Sequence, residues 1–158
     1  AAKSPFLRVA YTSWITPARV LDVSAATGEL HLRIARGGDR SIAVEQYHRG
    51  ALRIFRPLYL DESGQVTYYV VNPGGGYLDG DSYLTEVEVL QGASAVLTTQ
   101  AATKIYRTPT CPVRQDTRVS LGPRAVLELV PDQVIAYLEN VVRCPANIVG
   151  WSDGASSP

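Results

Sequence analysis

Two segments thirty residues apart carry the same pattern and decide the fold class. Residues 89–97 read VLQGASAVL, and residues 119–127 read VSLGPRAVL. In each copy, β-branched and aliphatic residues flank a turn centred on a glycine, Gly92 or Gly122, which is typical of strand, turn and strand. We therefore expect each copy to form a hairpin, and the two hairpins to stack in register between two sheets.

The rest of the chain extends this β pattern on both sides. Residues 29–34 (ELHLRI) alternate polar and apolar side chains, as a half-buried strand does, and Gly37-Gly38-Asp39 is a turn signal. Turn residues recur roughly every 8–12 positions, the spacing of an all-β domain. The other strand-like runs are residues 41–45, 51–55, 65–71, 84–90, 95–99 and 103–106. The sequence predicts an all-β fold of stacked antiparallel or mixed sheets built from hairpins.

One stretch, residues 132–142, favours two structures. Its apolar residues fall at helical spacing, at positions 134, 135, 138, 141 and 142, after Pro131 and Asp132 in suitable starting positions. Its β-branched residues weaken a helix, so a short helix and a strand both stay open. We expect residues 28–143 to form the β domain, after an N-terminal extension over residues 1–27 and before a flexible Gly/Ser/Asp/Pro-rich tail over residues 144–158.

Composition limits the classes of partner. Fifteen basic and fifteen acidic side chains cancel, so the chain lacks the charge that draws in nucleic acid or an anionic membrane. With 46% hydrophobic and 19% charged residues the chain is globular, and its apolar runs are too short to span a membrane. Cys111 and Cys144 lack zinc-site spacing, and we expect them to be reduced in the cytoplasm.

The sequence offers no catalytic or nucleotide-binding pattern in a suitable context. The one G-x-S-x-G match, GWSDG at residues 150–154, lies in the Gly/Ser-rich tail without a strand pattern before it, so it does not predict a nucleophile elbow. His31, between Leu30 and Leu32, is expected to face solvent. Residues 72–81 read NPGGGYLDGD; the third position of a dinucleotide fingerprint is Asp79, and no P-loop follows. We predict that the chain is not an enzyme and holds no tightly bound cofactor. The glycines are expected to adopt positive φ angles or to allow close packing.

A second function class stays open at this point. Four tyrosines, Tyr68, Tyr69, Tyr77 and Tyr83, could form an aromatic platform for a sugar or another small ligand on a free-standing β-sandwich. Aromatic residues in alternating strands are also ordinary core residues, so burial would decide between the two interpretations.

Four motifs in order resemble the UreD/UreH family of urease accessory proteins. They are ALRIFRP at residues 51–57, the glycine-rich NPGGGYLDGD at residues 72–81, LTTQAATKIYR at residues 97–107 after the Gly92-Ala93 turn, and LELVPD at residues 127–132. The resemblance covers about residues 28–131. It implies a β-rich scaffold that binds apo-urease and UreF, which recruits the GTPase UreG, while nickel passes into the urease active site.

The resemblance also implies roles for individual residues. Carried over by motif, Asp81, Glu128 and Asp132 would lie on a transient nickel path, and Thr98, Thr99, Lys104 and Tyr106 would line a tunnel or contact a partner. From the residues alone, Glu128 could face either solvent or a polar interior. Members of the family are usually longer, with further strands after the LELVPD segment. A shortened sheet would expose an edge strand, which predicts pairing with a partner or homo-oligomerisation.

Overall fold

Eleven strands and no helix make up the described part of the chain in the computed structural model, which covers residues 26–137 and the backbone of residues 142–143. The all-β prediction is confirmed. The strands are β1 Gly28–Gly37, β2 Arg40–Gly50, β3 Arg53–Ile54, β4 Val66–Val71, β5 Ser82–Val89, β6 Ser94–Thr99, β7 Thr103–Ile105, β8 Val113–Leu121, β9 Val126–Val130, β10 Val134–Ala136 and β11 Val142–Arg143.

The described strands form three sheets that the chain visits in turn. The first sheet has the order β11-β8-β5-β1-β2, the second β3-β4-β6-β9, and the third β10-β7. From β5 onward the chain passes through the first, second and third sheets, and then repeats that path with β8, β9 and β10. Each strand pairs in parallel with its counterpart one circuit earlier. The described residues therefore form a three-sided parallel solenoid, in which one circuit is one coil.

The predicted hairpins at residues 89–97 and 119–127 are wrong. β5 lies in the first sheet and β6 in the second, so the turn between them is an arch that joins two sheets, and β8 and β9 are joined in the same way. Ser82 pairs with Arg114 and Ser94 with Val126, so paired residues are thirty-two positions apart in the sequence. The two similar segments, in contrast, are only thirty positions apart. A turn's sequence does not tell whether its strands pair with each other, because that depends on more distant strands.

Antiparallel strands cover the start of the solenoid. β1 pairs with β5 in parallel on one side and with β2 antiparallel on the other, across the turn predicted at residues 37–39. β3 adds to β4 in the same antiparallel manner. A bulge interrupts the β1–β2 register between Arg33 and Ile34. The first coil consists of β1, β4 and the segment around Tyr77, which forms a parallel bridge with Ile105. The strands β5 to β7 stack on this coil.

Apolar side chains fill the inside of the coils. Alternate residues of strands such as β5 and β6 point inward, and Leu30, Leu84, Val66 and Val89 are completely shielded from solvent. Tyr77 and Tyr83 stack within this interior with their ring centroids 3.9 Å apart. Burial of this apolar surface stabilises the fold by roughly 25 cal/mol per Å² removed from water.

Residues 134–136, where a short helix was also possible, form a strand. β10 pairs with β7 in parallel, and the Tyr137 amide donates to the Ile105 carbonyl at 3.1 Å. Two adjacent β-branched residues, Val134 and Ile135, favour this extended conformation. Residues 142–143 are also a strand, and residues 138–141 lie outside the described part of the chain. Residues 1–25 and 144–158 lie outside it as well, so the predicted extension and tail stay predictions.

Candidate functional site

The glycine-rich segment at residues 72–81, hereafter the glycine loop, connects the first coil to the second. Asn72 starts it with an Asx turn, in which its Oδ1 accepts the Gly74 amide at 3.0 Å. A Cβ atom at Gly76 would lie 2.6 Å from Tyr106 Cε2 and 2.8 Å from the Lys104 carbonyl oxygen. A glycine is therefore needed for the loop to pack against β7, as predicted for these glycines.

Asp81 organises the end of the glycine loop. Its Oδ2 accepts the Leu78 amide at 2.7 Å and the Tyr83 hydroxyl at 2.9 Å, and its Oδ1 accepts the Thr27 hydroxyl at 3.2 Å. Burial, with a smaller effect from Asp81, raises the pKa of Tyr83 well above its usual value. Both carboxylate oxygens of Asp81 are thus engaged by protein donors.

Asp79 fastens the glycine loop to the segment that precedes β8. Its Oδ1 accepts the backbone amides of Cys111 at 2.8 Å and Thr110 at 3.1 Å. The hydrogen bond from Cys111, together with those from Thr110, lowers the pKa of Asp79. Cys111 itself is exposed and forms no disulfide within the described residues, and Cys144 lies outside them.

Three of the predicted residues meet where β6 and β9 end, a place hereafter called the β6–β9 corner (Thr98, Thr99 and Asp132). The Thr99 hydroxyl donates to Asp132 Oδ2 at 3.0 Å and accepts the Asp132 amide at 2.8 Å. The Thr98 hydroxyl donates to the Val130 carbonyl at 2.7 Å. Glu128 lies earlier on β9, is exposed on the outer face, and accepts a hydrogen bond from Gln65 at 3.0 Å. Of the two orientations open for Glu128, it takes the solvent side.

Lys104 and Tyr106 lie at the third sheet. Because Tyr77, Ile105 and Ala136 are in register, the residues that follow them, Leu78, Tyr106 and Tyr137, fall in one outward column. All three are exposed, and Tyr106 stacks on Tyr137 with ring centroids 5.5 Å apart and planes only 2° from parallel. We call this column the aromatic column. It is the type of surface on which aromatic residues anchor a protein partner.

The structure does not gather the predicted site residues into one centre. Asp81 contacts its own loop, Thr27 and Tyr83, whereas Thr99 and Asp132 contact each other at the β6–β9 corner. Within the described residues, no group of three or more His, Cys, Asp or Glu side chains is placed to hold a metal ion. A lone exposed carboxylate binds a divalent metal only weakly, since transition-metal sites use three or four ligands.

The tyrosine platform considered for a sugar ligand does not exist. Tyr68, Tyr77 and Tyr83 are buried in the core, and only Tyr69 of the four is partly exposed. Their stacking fills the coil interior and offers no face to a ligand.

Sequence reasoning missed a ladder of charges on the outer face of the first sheet. Glu86 lies between His31, whose Nδ1 is 2.8 Å from its carboxylate, and Arg118, which donates to it at 2.7 Å. In the next row, Arg33 bridges Glu45 at 2.9 Å and Glu88 at 3.0 Å. His31 is partly exposed on this outer face, as predicted. The sequence shows the charged residues at alternate positions of these strands, but it does not show which strands are neighbours in the sheet.

Comparison with known proteins identifies the family to which the chain belongs. A family model described as the UreD urease accessory protein matches residues 26–147, which include the glycine loop, the β6–β9 corner and the aromatic column. The chain belongs to the UreD family. It is 88% identical over 113 residues to the urease accessory protein UreD of Actinomyces naeslundii, an alignment that covers 72% of this chain and 42% of that protein.

Other UreD proteins are more distant. The urease accessory protein UreD of Arthrobacter sp. strain FB24 is 52% identical over 153 residues, covering 87% of this chain and 52% of its own length. That of Bacillus cereus is 35% identical over 126 residues, covering 80% of this chain and 46% of its own. This UreD chain therefore spans about half the length of the curated relatives that it matches.

Proposed function

We propose that this UreD chain is a non-enzymatic scaffold for the insertion of nickel into apo-urease in the cytoplasm. The observation that carries the proposal is the family match over residues 26–147, together with relatives that are named urease accessory proteins. The described residues contain no helix that could cross a membrane. Nickel is the cargo in this role, and the chain holds it transiently, without a resident cofactor.

The proposed partners are apo-urease and a UreF-like protein that recruits a UreG-like GTPase. A net charge of zero gives no long-range attraction, so recognition has to come from local contacts. The aromatic column supports such a contact, because Tyr106 and Tyr137 are exposed and already stacked. Lys104, exposed beside Tyr106 on β7, adds a positive charge at the rim. We assign Lys104 and Tyr106 to partner contact.

The proposed nickel path uses carboxylates with free acceptor capacity. Glu128 and Asp132 are exposed and flank the end of β9, and each accepts one hydrogen bond from a neutral side chain. Asp81 was also placed on the path, but its two oxygens already accept three hydrogen bonds. We therefore propose that Glu128 and Asp132 contact the cargo, with Thr98 and Thr99 positioning Asp132, and that Asp81 supports the path by ordering the glycine loop.

Co-elution tests the scaffold role. The chain is mixed with apo-urease and the UreF homologue from its host, and the mixture is separated by size-exclusion chromatography. We expect a ternary complex that Tyr106→Ala weakens and that Leu60→Ala, a change of an exposed residue away from the aromatic column, leaves intact. If the well-folded chain binds neither protein, the scaffold proposal for this part of UreD is wrong.

Nickel-dependent urease activation tests the path separately from binding. The double variant Glu128→Gln and Asp132→Asn keeps size and hydrogen bonding but removes two charges, and Glu62→Gln in an exposed turn serves as the control. We expect the double variant to co-elute normally and to activate urease several-fold more slowly. Activation at the rate of the control would remove these two residues from the path.

A further inference from the structure

Within the part of the chain that the structure describes, the last part of β2 is an open sheet edge. Among the described strands β2 has only β1 as a neighbour in the first sheet. Its first residues are covered, because Ser41 contacts the Gly64 carbonyl, the Tyr59 hydroxyl and the Ser94 amide. Beyond the bulge opposite Arg33, residues 45–50, hereafter the β2 edge, are exposed except for the partly buried His48. The Glu45 side chain is 69% exposed and Tyr47 is 50% exposed.

The β2 edge presents one face with a simple charge pattern. Glu45, Tyr47 and Arg49 pair with Arg33, His31 and Glu29 of β1, so all three lie on the outer face that carries the charge ladder. Glu45 accepts from Arg33 and Arg49 donates to Glu29. Glu45 and Arg49 are the only residues of the β2 edge that are charged at neutral pH if His48 is neutral.

Strand geometry restricts how such an edge can pair. Along an edge strand, every second residue points its N–H and C=O groups to the free side. In an antiparallel pair, two directly opposed residues either both point these groups at each other or both point them away. When a strand pairs with its own copy, the numbers of opposed residues must therefore add to an even number. Within the β2 edge, one such register places Glu45 opposite Arg49 of the copy, and it places Tyr47 opposite Tyr47.

We propose that two copies of this chain associate through antiparallel pairing of their β2 edges, with Tyr47 at the twofold axis. Each copy then contributes one Glu45 and one Arg49, and the symmetry forms both cross-strand pairs at once. The row of charges that runs from Glu88 through Arg33 to Glu45 continues into Arg49 and Glu29 of the copy, with the sign alternating at every step. Such a self-complementary row favours a second copy of the chain over an unrelated strand.

The resulting dimer is held by a short pairing and is expected to be weak and concentration-dependent. It joins the two first sheets edge to edge and leaves the aromatic column and the β6–β9 corner, on other sheets, open to partners. The inference therefore does not rest on the scaffold role, and either can fail without the other.

Charge-swapped variants test the register. Sedimentation velocity over a range of concentrations gives the dimer affinity of the wild-type chain, of Glu45→Arg, of Arg49→Glu and of their equimolar mixture. In each variant alone, both cross-strand pairs become like-charged, and since such pairs contribute roughly 0.2–1 kcal/mol each we expect about tenfold weaker dimers. In the mixture, the introduced arginine of one variant faces the introduced glutamate of the other, and the unchanged Arg49 faces the unchanged Glu45. A heterodimer of near wild-type affinity should therefore form.

A second variant keeps the proposal testable if Arg49→Glu fails to fold beside the buried Glu29. Tyr47→Lys places two ammonium groups at the twofold axis, and Leu60→Lys adds the same charge at an exposed position outside β2. We expect Tyr47→Lys to abolish the dimer and Leu60→Lys to leave it. A wild-type chain that stays monomeric at every concentration, or a dimer that Tyr47→Lys leaves unchanged, would overturn the proposal.

Discussion

At the level of single residues, Gly76 and Asp79 join neighbouring coils through the glycine loop. Gly76 lets the loop lie against β7, and Asp79 captures two backbone amides in front of β8. The first acts by lacking a side chain and the second by placing one carboxylate. Each makes a separate prediction about the free energy of unfolding.

Replacement of Gly76 by alanine is expected to destabilise the chain by about 1–3 kcal/mol, the usual range for overpacking. The added Cβ would press on the Lys104 carbonyl, which belongs to a strand and cannot move freely. Gly74→Ala is the matched control, since its Cβ would meet only the Asn72 side chain at 3.1 Å. Urea unfolding measures both variants. Equal effects at the two positions would contradict the role given to Gly76.

The Asp79 carboxylate is expected to stabilise the fold in a pH-dependent way. Its pKa is lower in the folded chain than the usual value of 3.8, so its contribution is present above that value and is lost as the pH falls through the lower, folded pKa. Asp79→Asn should therefore be less stable than the wild type near neutral pH, and the difference should shrink below about pH 4. Urea unfolding at a series of pH values checks this. A difference that does not depend on pH would refute it.

At the level of elements, the two arches have different residues, a glycine and an arginine, in the same left-handed backbone conformation. Gly92 has a φ of 69° and Arg124, thirty-two positions later, has a φ of 58°. The left-handed conformation costs a non-glycine residue roughly 1–2 kcal/mol. The second arch therefore carries strain that the first avoids.

Arg124→Gly is expected to stabilise the chain by about 0.5–1 kcal/mol, because it removes the strain that the Cβ atom causes at this φ. The greater conformational entropy of glycine in the unfolded chain offsets part of this stabilisation. Arg124→Ala is the control, since it deletes the charged side chain but keeps the Cβ atom and its strain. Thermal unfolding should rank glycine above both alanine and arginine. If alanine were as stabilising as glycine, the arginine side chain and not the backbone would be the cause.

The elements also separate what a sequence can predict from what it cannot. Strands such as β1 and β4 were predictable, because alternation and β-branched residues are local properties. The sequence predicts hairpins where the structure has arches, because the residues of a turn do not specify which strand lies next to each of its two arms. β10 was ambiguous because three residues are too few to show a period, and its pairing with β7 decides it. Asp132 and Thr99 were named as site residues separately, and their mutual hydrogen bonds depend on the parallel register of β6 and β9.

At the level of the whole molecule, strand position in the stack should set local stability. β5 has paired neighbours on both sides and an almost fully buried inner face, whereas β10 is an exposed edge of the third sheet among the described strands. Solenoid stability is approximately a sum over coils and their interfaces, so outer strands open more easily than inner ones.

Amide hydrogen exchange followed by mass spectrometry measures that gradient. We expect the slowest exchange in β5 and β1 and the fastest in β10, with β8 between them. Within β2, exchange at residues 45–50 should slow as protein concentration rises if the β2 edges pair. Uniform protection across all strands would show that the described residues unfold as one cooperative unit.

The parallel stacking of coils also has a consequence for synthesis on the ribosome. Each strand from β8 onward pairs with a strand that was made about thirty residues earlier, and the entropy of closing a loop grows only with the logarithm of its length. The nascent chain can thus add one coil at a time to a finished surface, without waiting for distant sequence to emerge. We expect folding to proceed from the amino-terminal side. A substitution that prevents the first coil from folding should therefore also prevent the later coils from folding on it.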